Sequence, residues 1–187
     1  MGHSIGSSGK LILMAIYLNV VRTVIKSTWY YKRLKQMSKN IIIRELTIED
    51  RVALWVWRND PVTLRMFKKK SFKWDKHCLW FEKLLKSTDR MICIAVEDTI
   101  RIGSVRFDMN LNRDWSVCLY LKPMYCGKGY SSQTIKKAVE YISKLKNPNR
   151  IFAKFNKINE YSIEIFRTAG FSILKKDDHD VCCEITL

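Results

Sequence analysis

The run Leu119-Tyr-Leu-Lys-Pro-Met-Tyr-Cys-Gly-Lys-Gly-Tyr-Ser-Ser-Gln-Thr-Ile135 organises the chain. An alternating apolar segment passes through a glycine pair into residues at helical spacing, so it reads as strand, tight loop, helix. Gly127 and Gly129 let the backbone turn with its N–H groups inward, and the following helix brings its positive dipole end to the same place. That combination suits a pyrophosphate. The spacing is not the dinucleotide fingerprint, and Lys128 is not followed by Ser or Thr as in a Walker loop. Taken alone, the stretch also fits an ordinary strand-to-helix turn.

A second motif stands further on. Asn159-Glu-Tyr-Ser-Ile-Glu-Ile-Phe-Arg-Thr-Ala-Gly-Phe171 follows the pattern N-x-x-S-x-x-x-F-x-x-x-G-F. Together the two stretches resemble the GCN5-related N-acetyltransferase (GNAT) family, over about residues 41–175. In that family the glycine loop is usually Arg or Gln, x, x, Gly, x, then Gly or Ala. Here Cys126 stands at the Arg or Gln position, Gly129 is the central glycine, and Ser131 replaces the last small residue.

The resemblance implies transfer of acetyl from acetyl-CoA to an amine by direct attack, without a metal. It assigns cofactor binding to Leu119, Leu121, Cys126, Gly127, Lys128, Gly129, Tyr130, Ser131, Ser132, Asn159, Ser162 and Phe166. The strand ending near Leu121 is expected to meet the pantetheine arm by backbone hydrogen bonds, one N–H polarising the thioester. Phe166 stands where the family usually has a tyrosine that protonates the leaving thiolate, so another donor or water must serve. Tyr120 and Tyr161, with Asn159, are the candidate catalytic residues, and Tyr125 and Tyr130 lie on the same stretch. Asn159 and Ser162 read equally as a helix N-cap and a solvent-facing hydroxyl. Asp114 and Glu160 are candidate bases by proximity alone, and His77 and His179 read as incidental surface residues.

The acceptor side of the family is built from the N-terminal helices. Trp55-Val-Trp-Arg-Asn-Asp-Pro61 and the pair Trp80-Phe81 resemble acetyltransferases of nucleotide-linked amino sugars, as in pseudaminic acid biosynthesis, and also the ribosomal-protein acetylating branch. Trp57, Arg58, Asn59 and Trp80 are thus the candidate acceptor residues, with Trp57 as a platform and Arg58 as a diphosphate partner. The competing reading keeps Trp57 in the core and Arg58 in a surface ion pair. A non-catalytic module with a basic surface is the alternative from another class.

Composition bounds these readings. The 187 residues carry 34 Lys and Arg against 18 Asp and Glu, a net charge of +16. Seven of the basic residues and no acid fall in residues 1–40, leaving a smaller surplus for the rest. That surplus suits an anionic ligand and would equally suit nucleic acid or an acidic membrane surface, since charge alone names no partner; with the family resemblance, no nucleic-acid partner is expected. The cysteines Cys78, Cys93, Cys118, Cys126, Cys182 and Cys183 form no C-x-x-C pair, which reads as a reduced, cytoplasmic protein without a zinc site.

Residues 1–40 read as a basic N-terminal extension, and 41–187 as the acetyltransferase domain. The apolar part, residues 11–25, is shorter than the roughly 20 residues that span a bilayer. A peripheral helix, an interfacial membrane contact and a fusion remnant all remain open for it. Beyond it the expected fold is α+β: a mixed, mostly antiparallel sheet of six or seven strands flanked by helices. Val52, Trp55 and Val56 share one face of the first helix, with Asn59-Asp-Pro61 ending it. Thr47 to Asp50 makes a capping box with Asp in place of Glu. Three strands follow a second helix over 74–86, and of the four glycines beyond the extension only Gly103 falls outside the two motifs.

Overall fold

The computed structural model describes residues 40–66, 70–156 and 159–187. The extension over residues 1–39, with its expected peripheral helix, lies outside the described residues, as do Lys68 and Lys69. The element order is β1 (Ile41–Glu45), a short 3-10 turn, α1 (Arg51–Asn59), α2 (Pro61–Met66), α3 (Trp74–Leu85), β2 (Arg90–Glu97), β3 (Ile100–Met109), β4 (Trp115–Leu121), α4 (Tyr130–Lys146), β5 (Arg150–Asn156), α5 (Glu160–Thr168), β6 (Ser172–Lys176) and β7 (Asp180–Thr186). The seven strands form one sheet in the order β1-β2-β3-β4-β5-β7-β6. Every neighbouring pair is antiparallel except β4 and β5, which are joined through α4, as a parallel pair requires a crossover.

Strand alternation sends successive side chains to two different layers. Cys93 and Ala95 of β2 join a core with Ile135, Ala138, Val139 and Ile142 of α4 and with Phe166 and Ala169 of α5. Ile92 and Ile94 of the same strand pack instead with Leu54 and Trp57 of α1 and Phe81 and Leu84 of α3. One face of the sheet therefore belongs to α4 and α5, the other to α1 and α3.

The helix starts follow their local chemistry. Asp50 takes the glutamate's place in the capping box, its Oδ2 accepting from the Thr47 backbone N–H at 2.9 Å. Asp50 is fully buried and also meets Arg44 at 2.7 Å and Arg101 at 3.2 Å. Asn59-Asp-Pro61 does end α1, but it also begins α2: Pro61 occupies the first turn, and Asp60 Oδ1 accepts from Val62 N and Thr63 N. Of the Val52, Trp55, Val56 stripe of α1 only Trp55 packs, half-buried against Trp74 with its Nε1–H donating to Phe72 O at 2.9 Å, and the two valines face outward. Val52 and Val56 are more than half exposed, whereas Leu54 and Trp57 are buried.

Gly103 explains itself at the β3–β4 contact. A Cβ there would lie 2.2 Å from the Tyr120 carbonyl oxygen and 2.7 Å from Leu121 Cδ2, so no side chain fits.

Candidate active site

The two sides of β4 are paired to different extents. Toward β3 all seven residues are in register, from Met109 opposite Trp115 to Gly103 opposite Leu121. Toward β5 only Trp115 and Ser116 have partners, Ile151 and Phe152. Beyond Ser116 the two parallel strands part. Lys122 N donates to Ile102 O at 2.9 Å, which continues the bonding register into β4 and makes the even-numbered residues of β4 the ones bonded to β3. The N–H and C=O groups of Val117, Leu119 and Leu121 consequently face the gap. This is backbone hydrogen-bonding capacity presented to whatever enters between β4 and β5.

At the open end the chain turns through the glycine loop. Gly127 and Gly129 have φ of 68° and 78°, the left-handed region that glycine enters without strain, and Gly129 is the N-cap of α4. Ser131 and Ser132 lie in the first turn of α4, whose N–H groups point out of the helix end. Lys128 is exposed on the loop. Cys126 is exposed; its thiol approaches Leu121 O at 4.0 Å and Lys122 O at 3.7 Å, and burial of the sulfur pushes its pKa up.

Tyr130 anchors this loop to the sheet. Its hydroxyl donates to the Glu97 carboxylate, 2.7 Å from each oxygen, and its ring meets Tyr125 edge-on at 5.1 Å. Burial, together with the glutamate, pushes the phenol up to about 12. Across the gap, Asn159 caps α5, its Oδ1 accepting from Ser162 N at 3.2 Å. Tyr161 is 85% exposed, Ser162 half-buried. Phe166 is buried between Phe155, stacked at 5.4 Å, and Phe171, edge-on at 5.1 Å.

On the α1 and α3 face, Trp57 is 6% exposed and stacks on Tyr120 with ring centroids 5.5 Å apart, while Lys122 Nζ stands 5.6 Å from the indole. Arg58 is held between two rings, 4.2 Å from Phe72 and 4.1 Å from Trp80. Among the described residues no carboxylate pairs with it, and its Nη1 is buried without a hydrogen-bond partner. Burial lowers its pKa, and neighbouring Arg106 lowers it further. The Asn59 amide is used internally: Nδ2 donates to Trp55 O and Phe72 O, and Oδ1 accepts from Phe72 N at 2.6 Å, fixing the segment that carries Phe72.

Two readings of the sequence are corrected here. His77 is not a surface residue but wholly buried, its Nε2 bonded to Arg51 O at 2.8 Å, with Trp74, Trp80 and Phe81 within 6 Å of its ring. Asp114 is a buried ion-pair partner of Arg150, and that bond holds its carboxyl below the usual range, which makes it a poor base. Glu160 is exposed in the first turn of α5. Sequence reasoning missed Asp60, Thr63 and Arg106, all on the α1 and α3 face. The Asp-Pro pair at 60–61 carried a helix-start signal that reading it as a helix end obscured.

A sheet opened between its two parallel strands, with a glycine turn and helix N-terminus at the mouth, is an α+β architecture with one defined opening. A family model described as an acetyltransferase (GNAT) domain matches residues 40–172, and the chain belongs to that family. An uncharacterized protein of Methanocaldococcus jannaschii is 26% identical over 149 residues, 78% of this chain and 30% of that protein, so the chain spans less than a third of that relative's length. Among solved structures, the spermidine N-acetyltransferase of Vibrio cholerae in complex with CoA and spermine superimposes with a TM-score of 0.69 at 16% identity, over 80% of this chain and 96% of that one. The Campylobacter jejuni N-acetyltransferase PseH gives 0.61 at 17% identity, over 78% and 97%. At these identities the likeness establishes the fold. Among the described residues no helix is long and apolar enough to cross a membrane, and no group of three His, Cys, Asp or Glu could hold a metal ion.

Proposed function

We propose that residues 41–187 act in the cytoplasm to transfer acetyl from acetyl-CoA to a primary amine, the amino group of a nucleotide-linked amino sugar. The observation that carries the donor side is the parting of β4 from β5 beyond Ser116. The pantetheine arm lies along the gap, where the Leu119 and Leu121 backbone supplies strand-like hydrogen bonds. One of those N–H groups polarises the thioester carbonyl. The pyrophosphate rests at Gly127 to Ser132, against the positive end of α4. The neutral amine nitrogen attacks the carbonyl carbon, the C–S bond breaks, the nitrogen gives up one proton to water as the amide forms, and the sulfur leaves as thiolate and takes a proton from water, since Phe166 has no hydroxyl.

For the acceptor, the supporting observation is Arg58. A guanidinium clamped between two rings, with no carboxylate partner among the described residues and close to Arg106, is a positive site that the described residues leave uncompensated. A diphosphate compensates it; a polyamine or a basic peptide is repelled. Thiol release from acetyl-CoA, measured with a nucleotide-diphosphate-linked 4-amino sugar, spermidine and a lysine-rich peptide, tests the assignment. Turnover of the sugar is expected. Turnover of the peptide or the polyamine without the sugar overturns the acceptor, and absence of turnover with all three overturns acetyl transfer.

A further inference from the structure

The glycine loop is exposed along its whole length, from Cys126 to Gly129, between two half-buried tyrosines. A Cβ built on Gly127 would meet no atom of the described residues within 4 Å. The loop therefore depends on how its two ends are held. On the strand side, Tyr125 N donates to Lys122 O at 2.9 Å and Cys126 N to Pro123 O at 3.1 Å, closing a 3-10 turn. On the helix side the fixed point is Tyr130, the first residue of α4, directly after the Gly129 N-cap. Its ring meets Tyr125 edge-on, which brings the two ends of the loop together. Its hydroxyl reaches Glu97 at the end of β2, 2.7 Å from each carboxylate oxygen. Glu97 is itself held in register on both sides, opposite Ile41 of β1 and Ile100 of β3.

We infer that Glu97 is a positioning residue for the acetyl donor: through the Tyr130 hydroxyl it holds the glycine loop and the first turn of α4 in the shape that takes the pyrophosphate. The inference rests on the donor-side reading above and names what pre-forms its anion site, a residue on a strand outside both sequence motifs. Two effects of Glu97 on the donor have opposite signs. Its charge repels a pyrophosphate at the positive end of α4, whereas its hydrogen bond spares the loop the ordering that binding would otherwise demand. A hydroxyl bonded to a carboxylate makes a stronger hydrogen bond than one between two neutral groups, and both partners here are half-buried, so positioning prevails. The phenol, pushed up to about 12, keeps the proton it donates at neutral pH. With the tether released, only a fraction of the loops hold the competent shape, and the apparent affinity falls by that fraction.

Calorimetric titration with CoA, which needs no acceptor, is carried out on the full chain and on Tyr130→Phe, Glu97→Ala and Glu97→Gln. Tyr130→Phe keeps the ring against Tyr125 and removes only the hydroxyl, so it decides the matter even where Glu97→Ala melts low. Glu97→Gln keeps an oxygen that accepts from the hydroxyl and removes the charge. Tyr130→Phe and Glu97→Ala are each expected to weaken CoA about tenfold, and the double variant no further, since both remove the same bond. Glu97→Gln should bind CoA as tightly as wild type or tighter, because it loses the repulsion and keeps the tether. The rise in melting temperature that CoA causes should shrink in step with affinity. In thiol release with an amine that the wild type acetylates, Tyr130→Phe should raise KM for acetyl-CoA by the same factor and leave KM for the amine in place. CoA affinity within about twofold of wild type in Tyr130→Phe overturns the inference. So does tighter binding in Glu97→Ala, which would leave only the carboxylate's repulsion, and so does an equal loss in Glu97→Gln and Glu97→Ala. If the wild type binds no CoA, the inference falls together with the donor reading; if it binds CoA and acetylates none of the amines, the acceptor reading falls and the titration alone decides the role of Glu97.

Discussion

The two faces of the sheet solve different problems. The face under α4 and α5 is almost entirely aliphatic and aromatic, from Ile135 and Ile142 to the Phe155, Phe166, Phe171 stack. The face under α1 and α3 buries polar groups among its rings: the Arg58 guanidinium, the His77 imidazole and, at its edge, the Asp50 carboxylate. Burying a charged or polar group costs free energy unless it is paired, so the second face is the less stable way to cover a sheet. The difference teaches where stability and function are separated. The first face holds the strands in place, and the second carries groups whose arrangement makes sense toward a ligand.

The largest effect should come from breaking the first face. Phe166→Ala removes a ring stacked on Phe155 and edge-on to Phe171, leaving a cavity beneath α5. A loss of about 4 kcal/mol is expected in a denaturant melt. A loss under about 1 kcal/mol would show that the stack is not part of a close-packed core.

On the second face, Asp50 is paired well enough to stabilise. Burial works against its charge, but hydrogen bonds from Arg44 and Thr47 and the charge of Arg101 outweigh it, so its folded pKa lies below the ordinary value. Asp50→Asn should cost about 2–3 kcal/mol, toward the low end for a buried pair because Arg44 and Arg101 keep contact with water. A carboxylate with a depressed folded pKa stabilises fully above its unfolded value, about 3.9, and loses that contribution as pH falls through the folded one. The gap between wild type and Asp50→Asn should therefore be constant at pH 6–8 and close only below about pH 4. A gap that closes between pH 7 and 5 would mean that another group is responsible.

Arg58 sharpens the comparison because nothing in the described chain compensates it. Arg58→Met keeps apolar bulk between Phe72 and Trp80 while deleting the charge. Stability should be unchanged or slightly higher. The cost should appear in turnover: kcat/KM for the nucleotide-linked sugar falls by about 1.5–3 kcal/mol, roughly 10- to 150-fold, with KM for acetyl-CoA nearly unchanged. Equal damage toward both substrates, or a lower melting temperature, would make Arg58 a structural residue.

Much of this was legible in the sequence, and what was not has physical reasons. Helix starts and the glycine turn depend on local chemistry, so Thr47 to Asp50, Gly127 to Gly129 and the α5 cap at Asn159 could be read directly. The gap between β4 and β5 depends on register between strands separated by a helix, and nothing in Leu119 to Leu121 alone says that pairing stops at Ser116. Gly103 showed a glycine inside a strand but not which backbone approaches it. On α1, two apolar stripes compete, Val52 with Val56 and Leu54 with Trp57, and only packing on β2 selects the second. His77 carried a signal that was overlooked: it falls on the same helical stripe as Phe81 and Leu84, at spacings of four and three.

His77 supplies the last and smallest test. Its Nε2–H donates to Arg51 O, which leaves Nδ1 buried and without a hydrogen-bond partner among the described residues. Protonating Nδ1 would place a cation in an apolar box; burial, then the charges of Arg58 and Arg51, lower its pKa despite the Arg51 carbonyl. A histidine whose folded pKa lies below its unfolded value, near 6.5, remains neutral in the native state while the unfolded chain takes up a proton. Wild-type stability should therefore decline as pH falls from 7 to 5, a window above the range in which Asp50 titrates. His77→Gln keeps a donor toward Arg51 O but cannot take the proton, so it should be less stable than wild type at pH 8 yet lose less between pH 7 and 5. Thermal melts of the two proteins across that window compare the slopes directly. Parallel slopes would mean that His77 protonates as readily in the fold as out of it, and that the second face is wetter around the α3 stripe than its packing implies.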